Sequence, residues 1–112
     1  MRKNFFQDLK MKIKFTPTFE KYFKKYLKKD KKLLKELEKL IEELKQNPKI
    51  GQSLGNNLYK IRIKGFNKGK SGGYRVINYI KNDNEIILVI IYAKNEYSDI
   101  AIKKLEEILK EI

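Results

Sequence analysis

A small α+β domain, with an antiparallel sheet packed against helices, is the fold class this 112-residue sequence predicts, and three patterns carry that prediction. Over 16–46 apolar residues recur at helical spacing, over 58–94 they alternate or run on in short stretches, and beyond Ser98 the helical period returns. The length suits one hydrophobic core and is too short for two. The predicted order is β-α-α-β-β-β-α, with no internal repeat and no low-complexity linker.

Residues 1–10 have no clear period and read as a leader, flexible or non-native, with 11–112 as the domain; Met11 is a second candidate start. From Met11, MKIKF is the first strand signal. Thr16-Pro17 fits an N-cap followed by proline at the first helical position. The helix after it spaces Phe19, Phe23 and Leu27 four apart beside Tyr22 and Tyr26, an aromatic core stripe. Asp30 stands where it can cap a second helix, whose stripe is Leu33, Leu37, Leu40, Ile41 and Leu44 and which Gln46-Asn47-Pro48 ends. The short KKDK link implies an antiparallel helical hairpin, and outer pairs such as Glu36 and Lys39 read as solvated surface.

Gly51, Gly55 and Asn56-Asn57 read as a loop. Beyond it 58–64, 74–80 and 86–94 are strands, the last two turned by Asn82-Asp83-Asn84, and such short connections make an antiparallel meander. The apolar run 86–93 is eight residues, far below the roughly 20 that cross a bilayer. It reads as a buried strand, and no membrane partner is expected. A closing helix is expected to begin near Ser98-Asp99, with Ile102, Leu105, Ile108 and Leu109 on one side.

The formal net charge is +13, from 27 Lys and Arg against 14 Asp and Glu. That balance points to a polyanionic partner, nucleic acid first. Cysteine and histidine are absent, which excludes disulfides, Cys/His zinc sites, thiol nucleophiles and imidazole catalysis. The N-terminus lacks the apolar region of a secretory signal, so a cytoplasmic location is the default expectation.

The charge is concentrated in YKIRIKGFNKGKSGGYRVINY, 59–79, which has no acidic residue and holds two of the chain's three arginines, Arg62 and Arg75. Arginine's planar fork suits phosphate better than lysine's point charge does. Strand parity puts Tyr59, Ile61 and Ile63 on one face and Lys60, Arg62 and Lys64 on the other. With the apolar face against the helices, the three cations share the open face, although an edge strand guarded by lysines would read alike. The loop GFNKGKSGG is too long for a minimal hairpin turn. Its glycines let backbone approach a ligand while Lys68 and Lys70 add charge; Walker A spacing is not met. Arg75 opens the next strand and Lys94 ends the one after.

Taken in order, LYKIRIK, GKSGGYRVINY and IYAKNEYSDI, with two helices before and one after, resemble the RelE/ParE superfamily of toxins of type II toxin–antitoxin modules. The similarity covers about residues 11 to 112 and lies with the RelE/HigB-like mRNA interferase branch, which carries G-K-x-G-G-x-R-V-I-x-Y and K-N-E segments. It implies a RelE-like fold and a ribosome-dependent endoribonuclease that cleaves mRNA and inhibits translation. It further implies that Lys60 and Arg62 hold or activate the scissile phosphate and that Arg75 stabilises the transition state. Lys94 is the cation at the last strand's end. Lys64, Lys68, Lys70 and Tyr74 are the expected RNA-binding residues. The chain departs from the RelE pattern at Asn95, where an arginine is expected, and at Ala101, where a tyrosine is; Tyr97 is out of register. A cognate antitoxin and mRNA on the ribosome are the implied partners, without metal or small-molecule cofactor.

RNA supplies its own nucleophile, so attack of the 2′-OH on the adjacent phosphate needs in-line positioning, charge stabilisation and the movement of two protons. Without histidine, that movement falls to a lysine, a tyrosine or a carboxylate. Crowded cations each disfavour another's charge, which makes Lys60 and Lys94 equal candidates. Glu96 and Asp99 read as capping or salt-bridging residues at the start of the last helix. Two other readings are open: a ParE-like inhibitor of a topoisomerase, against which the dense cationic face argues, and a non-catalytic RNA- or ribosome-binding module. For the latter, Phe66 and Tyr74 are the candidate stacking aromatics.

Overall fold

The computed structural model describes residues 11–65 and 73–112. Among them, strands β1 (Lys12–Phe15), β2 (Gln52–Gly55), β3 (Leu58–Ile63), β4 (Tyr74–Asn82) and β5 (Glu85–Ala93) form one sheet in the order β1-β5-β4-β3-β2. The helices are α1 (Pro17–Leu27), α2 (Leu33–Gln46) and α3 (Ile102–Leu109). The expected meander β3-β4-β5 is antiparallel throughout, and β1 adds a parallel pair with β5, so the sheet as a whole is mixed.

Apolar periodicity explains the layers. Phe19 and Tyr26 of α1, with Leu33, Leu37, Leu40 and Leu44 of α2, bury against Ile61, Ile63, Tyr74, Val76, Leu88 and Ile91 on one sheet face. Leu105 and Ile108 of α3 bury against Leu58, Ile77, Ile90 and Tyr92 on the opposite face. With both faces covered, β5 reads as a continuous apolar run instead of alternating, as strands buried on two sides do.

Local chemistry sets the joints. Thr16 caps α1: its Oγ1 accepts the Phe19 N–H at 2.9 Å and donates to the Val89 carbonyl at 2.6 Å. Val89 is the extra residue of a bulge, since Ile77 pairs with Ile90 while Asn78 pairs with Leu88. At the other end of the chain, Glu111 accepts from the Thr18 N–H at 3.0 Å and the Thr18 hydroxyl at 2.6 Å, which sets a carboxylate on the positive end of α1 and ties the tail to it.

Three expectations change. The 51–57 segment contains the edge strand β2, paired to β3 and lacking apolar alternation because Leu54 is its one apolar side chain, packed against the α3-side cluster. Gly51 is obligatory there, at φ +94°, because a Cβ would lie 2.5 Å from the Lys60 carbonyl oxygen. Asp30 works less as a helix cap than as a buried turn residue: one oxygen accepts the Lys32 N–H at 3.2 Å, the other the Tyr74 hydroxyl at 3.1 Å. The closing helix starts at Ile102, after Ala101, with no side-chain cap, and Asp99 instead lies 3.1 Å from Lys60 of β3. Among the described residues no helix is long and apolar enough to cross a membrane.

Candidate nucleic-acid interface

Register decides which cations meet. Arg62 on β3 lies directly opposite Arg75 on β4, and Arg75 lies opposite Tyr92 on β5. Lys60 pairs with Ile77, two residues along the same face. A row Arg62–Arg75–Tyr92 therefore crosses three strands, with Lys60 beside it. This is the face on which α3 packs, so it is only partly open: α3 covers the Ile77–Ile90 end because a second apolar cluster forms there.

Like charges directly opposite on neighbouring strands are destabilising, and here one of the pair is also buried. Arg75 is 7% exposed, its Nη1 donating to the Tyr74 carbonyl at 3.2 Å, whereas Arg62 is exposed. Lys60 is half-buried and its Nζ lies 3.1 Å from Asp99 Oδ1, the carboxylate itself being largely in solvent. The salt-bridging reading of Asp99 thus describes what it does, and the cation it holds is the one beside the arginine row.

The strand mouth is built by backbone. The Lys94 N–H donates to the Gly73 carbonyl at 3.0 Å, which sets exposed Lys94 against the residue before β4, two positions from Arg75. Gly73 is at φ +69°, and a Cβ there would meet the Ile63 carbonyl oxygen at 2.4 Å, so only glycine lets β3 and β4 close at this point. The following turn is anchored from below: Tyr26 OH donates to Glu96 at 2.7 Å and accepts the Ala93 N–H at 3.1 Å. Burial foremost, then the bond to Glu96, holds the Tyr26 phenol well above its ordinary pKa. Glu96 is therefore a tether for the turn.

Lys64 is exposed and, with Arg62 and Ile63, borders a groove of about 530 Å³ whose far wall is α2, including Glu36, Glu42 and Glu43. Lys39 stands on the same wall, 3.5 Å from Glu36, so Arg62 and Lys64 border a groove of mixed charge, and Arg62, Arg75 and Lys60 are the candidate anion-holding cations that register brings together on the α3-side face. Lys68, Lys70 and the candidate stacking ring of Phe66 lie outside the described residues. Tyr74 does not reach the surface: it is 2% exposed, lies 5.1 Å centroid to centroid from Tyr26, and bonds Asp30. Parity explains this correction, because Tyr74 shares its face with Val76, against the helices, and Arg75 takes the other. Its phenol is held above the ordinary range by burial first and the Asp30 bond second.

Sequence reasoning passed over Tyr92. It stands two residues before Lys94 inside an apolar run, and only register shows that it faces Arg75. It is fully buried, and its hydroxyl has no hydrogen-bond partner among the described residues. Burial, reinforced by Asp99 and opposed by Arg75, raises its pKa.

The model of a family described as the RelE toxin of the RelE / RelB toxin-antitoxin system matches residues 11–112. No curated protein matches the sequence. Among solved structures, a free-state mutant of E. coli toxin RelE with two arginines changed to alanine is similar with a TM-score of 0.53 and 20% identity, covering 88% of this chain and 90% of that one. At that identity the likeness is one of fold.

Proposed function

This chain belongs to the RelE toxin family and is the toxin of a toxin–antitoxin system, and on that premise we propose that it is an endoribonuclease that cuts mRNA on the ribosome in the cytoplasm and so inhibits translation. The observation that carries the proposal is the Arg62–Arg75 pair, two guanidinium groups in cross-strand register on one face, one of them buried. Such a pair opposes folding and is relieved by an anion between the two forks.

The chemistry follows from the groups present. The ribose 2′-OH attacks the adjacent phosphorus in line and loses its proton, the P–O5′ bond breaks and O5′ takes up a proton, giving a 2′,3′-cyclic phosphate and a 5′-OH; water then opens the cyclic phosphate to a 3′-phosphate. Arg75, at the centre of the row and shielded from water, stabilises charge growing on the equatorial oxygens; interactions in a water-poor site are stronger than the same ones in solvent. Arg62 holds the phosphate from the open side. Lys60 and Lys94 are the candidates for moving protons, Lys60 after its release from Asp99. Lys64, Lys68 and Lys70 hold the flanking sugar-phosphate backbone, which gives affinity without sequence choice.

An antitoxin of the RelB kind is the partner that the family implies, and the +13 charge favours an acidic segment on it. Incubating the purified protein with translating ribosomes and with naked mRNA, and mapping ends by primer extension, tests the reading. Cuts with 5′-OH ends on ribosomes are expected; no cuts in either, with growth unaffected on expression, refutes it. Arg75→Ala separates an enzyme from a binding module: cleavage is lost with ribosome binding nearly intact in the first, and both decline together in the second.

A further inference from the structure

Three tyrosine hydroxyls are buried around the sheet's site end, and two are fully engaged. Tyr26 donates to Glu96 and accepts from Ala93, and Tyr74 donates to Asp30. Tyr92 differs. Its ring packs with Leu105 and Ile108 of α3 and meets Tyr97 edge-on at 6.0 Å, yet its hydroxyl is bonded to nothing among the described residues. Phenylalanine would fill the same space without burying an unsatisfied group, which is unfavourable. Packing therefore does not account for the oxygen.

The kind of partner it lacks is legible from its surroundings. Arg75 opposite, and Arg62 and Lys60 on the same face, are donors only and cannot take the phenolic proton. The carboxylate that acts on the hydroxyl, Asp99, is held 3.1 Å from Lys60. The hydroxyl is screened from solvent in the free protein, so an anion seated by Arg75 and Lys60 would bring acceptor oxygens to it only by competing with Asp99 for the lysine and moving that exposed carboxylate aside; Tyr74, on the other face, is covered by helices instead. Burial keeps the phenol protonated, which makes it a donor and not a base.

We propose that the Tyr92 hydroxyl is a further catalytic group of this site, donating to a non-bridging oxygen of the RNA phosphate seated by Arg75 and Lys60 after that phosphate has displaced Asp99. The assignment rests on the ribonuclease reading above and adds to it a neutral donor whose bond forms only with substrate in place. A donor of this kind, waiting without a partner, is favoured in the bound state relative to the free one.

Tyr92→Phe is the test, in single-turnover cleavage of mRNA on saturating ribosomes beside the wild type. Cleavage should fall at least about tenfold, a lower bound on the roughly 100- to 1,000-fold that one preorganised donor supplies, while ribosome binding changes less than twofold and the thermal midpoint is unchanged or higher. Cleavage within twofold of wild type overturns the assignment. A wild type that cuts no RNA refutes the ribonuclease reading itself, and this one with it. Should the variant unfold, ring-labelled wild-type protein is titrated with a fully 2′-O-methylated RNA hexanucleotide and the Tyr92 signal followed by NMR, with Tyr26 and Tyr74 as internal references. A hydrogen-bond shift at Tyr92 alone is expected, and its absence at saturation overturns the assignment.

Discussion

Replacing Arg62 by glutamine should make the protein more stable and less active, and the two effects have one cause. Arg62 and Arg75 are register partners, which places their Cβ atoms about 5 Å apart; the repulsion is worked for charges about 6–8 Å apart. Because Arg62 is exposed, a water-like dielectric applies, and the repulsion is about 0.5–0.7 kcal/mol. Removing it should raise the thermal midpoint by roughly 2–5 °C at about 10 mM salt. The gain should vanish near 1 M salt, where the screening length is about 3 Å. Cleavage should fall by about 10- to 100-fold, the loss of one charge-assisted phosphate contact of about 1.5–3 kcal/mol. Calorimetry at the two salt concentrations and primer extension on ribosomes read both effects. A variant that is less stable at low salt, or whose gain persists at 1 M, would show that the arginine row is not electrostatically opposed in the free protein.

Other consequences are as direct. Asp99→Asn frees Lys60 from its 3.1 Å partner; RNA binding should tighten several-fold, read by filter retention at two salt concentrations, and unchanged binding would mean that Asp99 does not compete with phosphate. Tyr74→Phe removes a bond to a buried carboxylate, so urea denaturation should show a loss of about 1.5–3 kcal/mol, with cleavage per folded molecule unaltered because the ring does not reach RNA. The pKa values of Tyr26 and Tyr74 are raised from 10.0 by burial and by carboxylate bonds. The unfolded chain ionises at the ordinary value while the folded one resists, so stability is full below pH 10 and is lost as pH rises beyond it. Urea midpoints should fall between pH 9 and roughly pH 11, and the Tyr26→Phe, Tyr74→Phe double variant should flatten that fall.

Elements whose apolar spacing repeats were legible from residues alone: α1 and α2 from their stripes, and β3 to β5 from their patterns. What escaped has little side-chain signature. β2 is an edge strand paired to β3 through the main chain, and Asp99, a good capping residue by type, caps nothing: it stands three residues before α3 and pairs with Lys60. Parity correctly divided Lys60 and Arg62 from Ile61 and Ile63. It could not say that Arg75 would stand opposite Arg62, because register depends on how the 65–73 connection closes, and Gly73 governs that through a backbone approach no side chain records. Tyr74 was misjudged for a related reason, since its membership of a basic stretch suggested exposure while its parity with Val76 required burial.

The two sheet faces divide the work between them. The α1–α2 face is closed by six buried helix side chains, and Asp30, Tyr26, Tyr74 and Glu96 answer one another there, while Asn78 donates to the Pro48 carbonyl and keeps its own buried oxygen without a partner among the described residues. The α3 face is apolar only at one end. At the other, it gathers two arginines in register, a lysine held by a carboxylate that solvent also reaches, and a phenol without an acceptor. On the proposed reading these features have one ligand in common, an anion with several acceptor oxygens, which would lie between the two arginines, compete with Asp99 for Lys60 and accept from the phenol. One ligand answering several features of one face is what the ribonuclease proposal requires, and the +13 charge of the chain would make that ligand's approach fast as well as favourable.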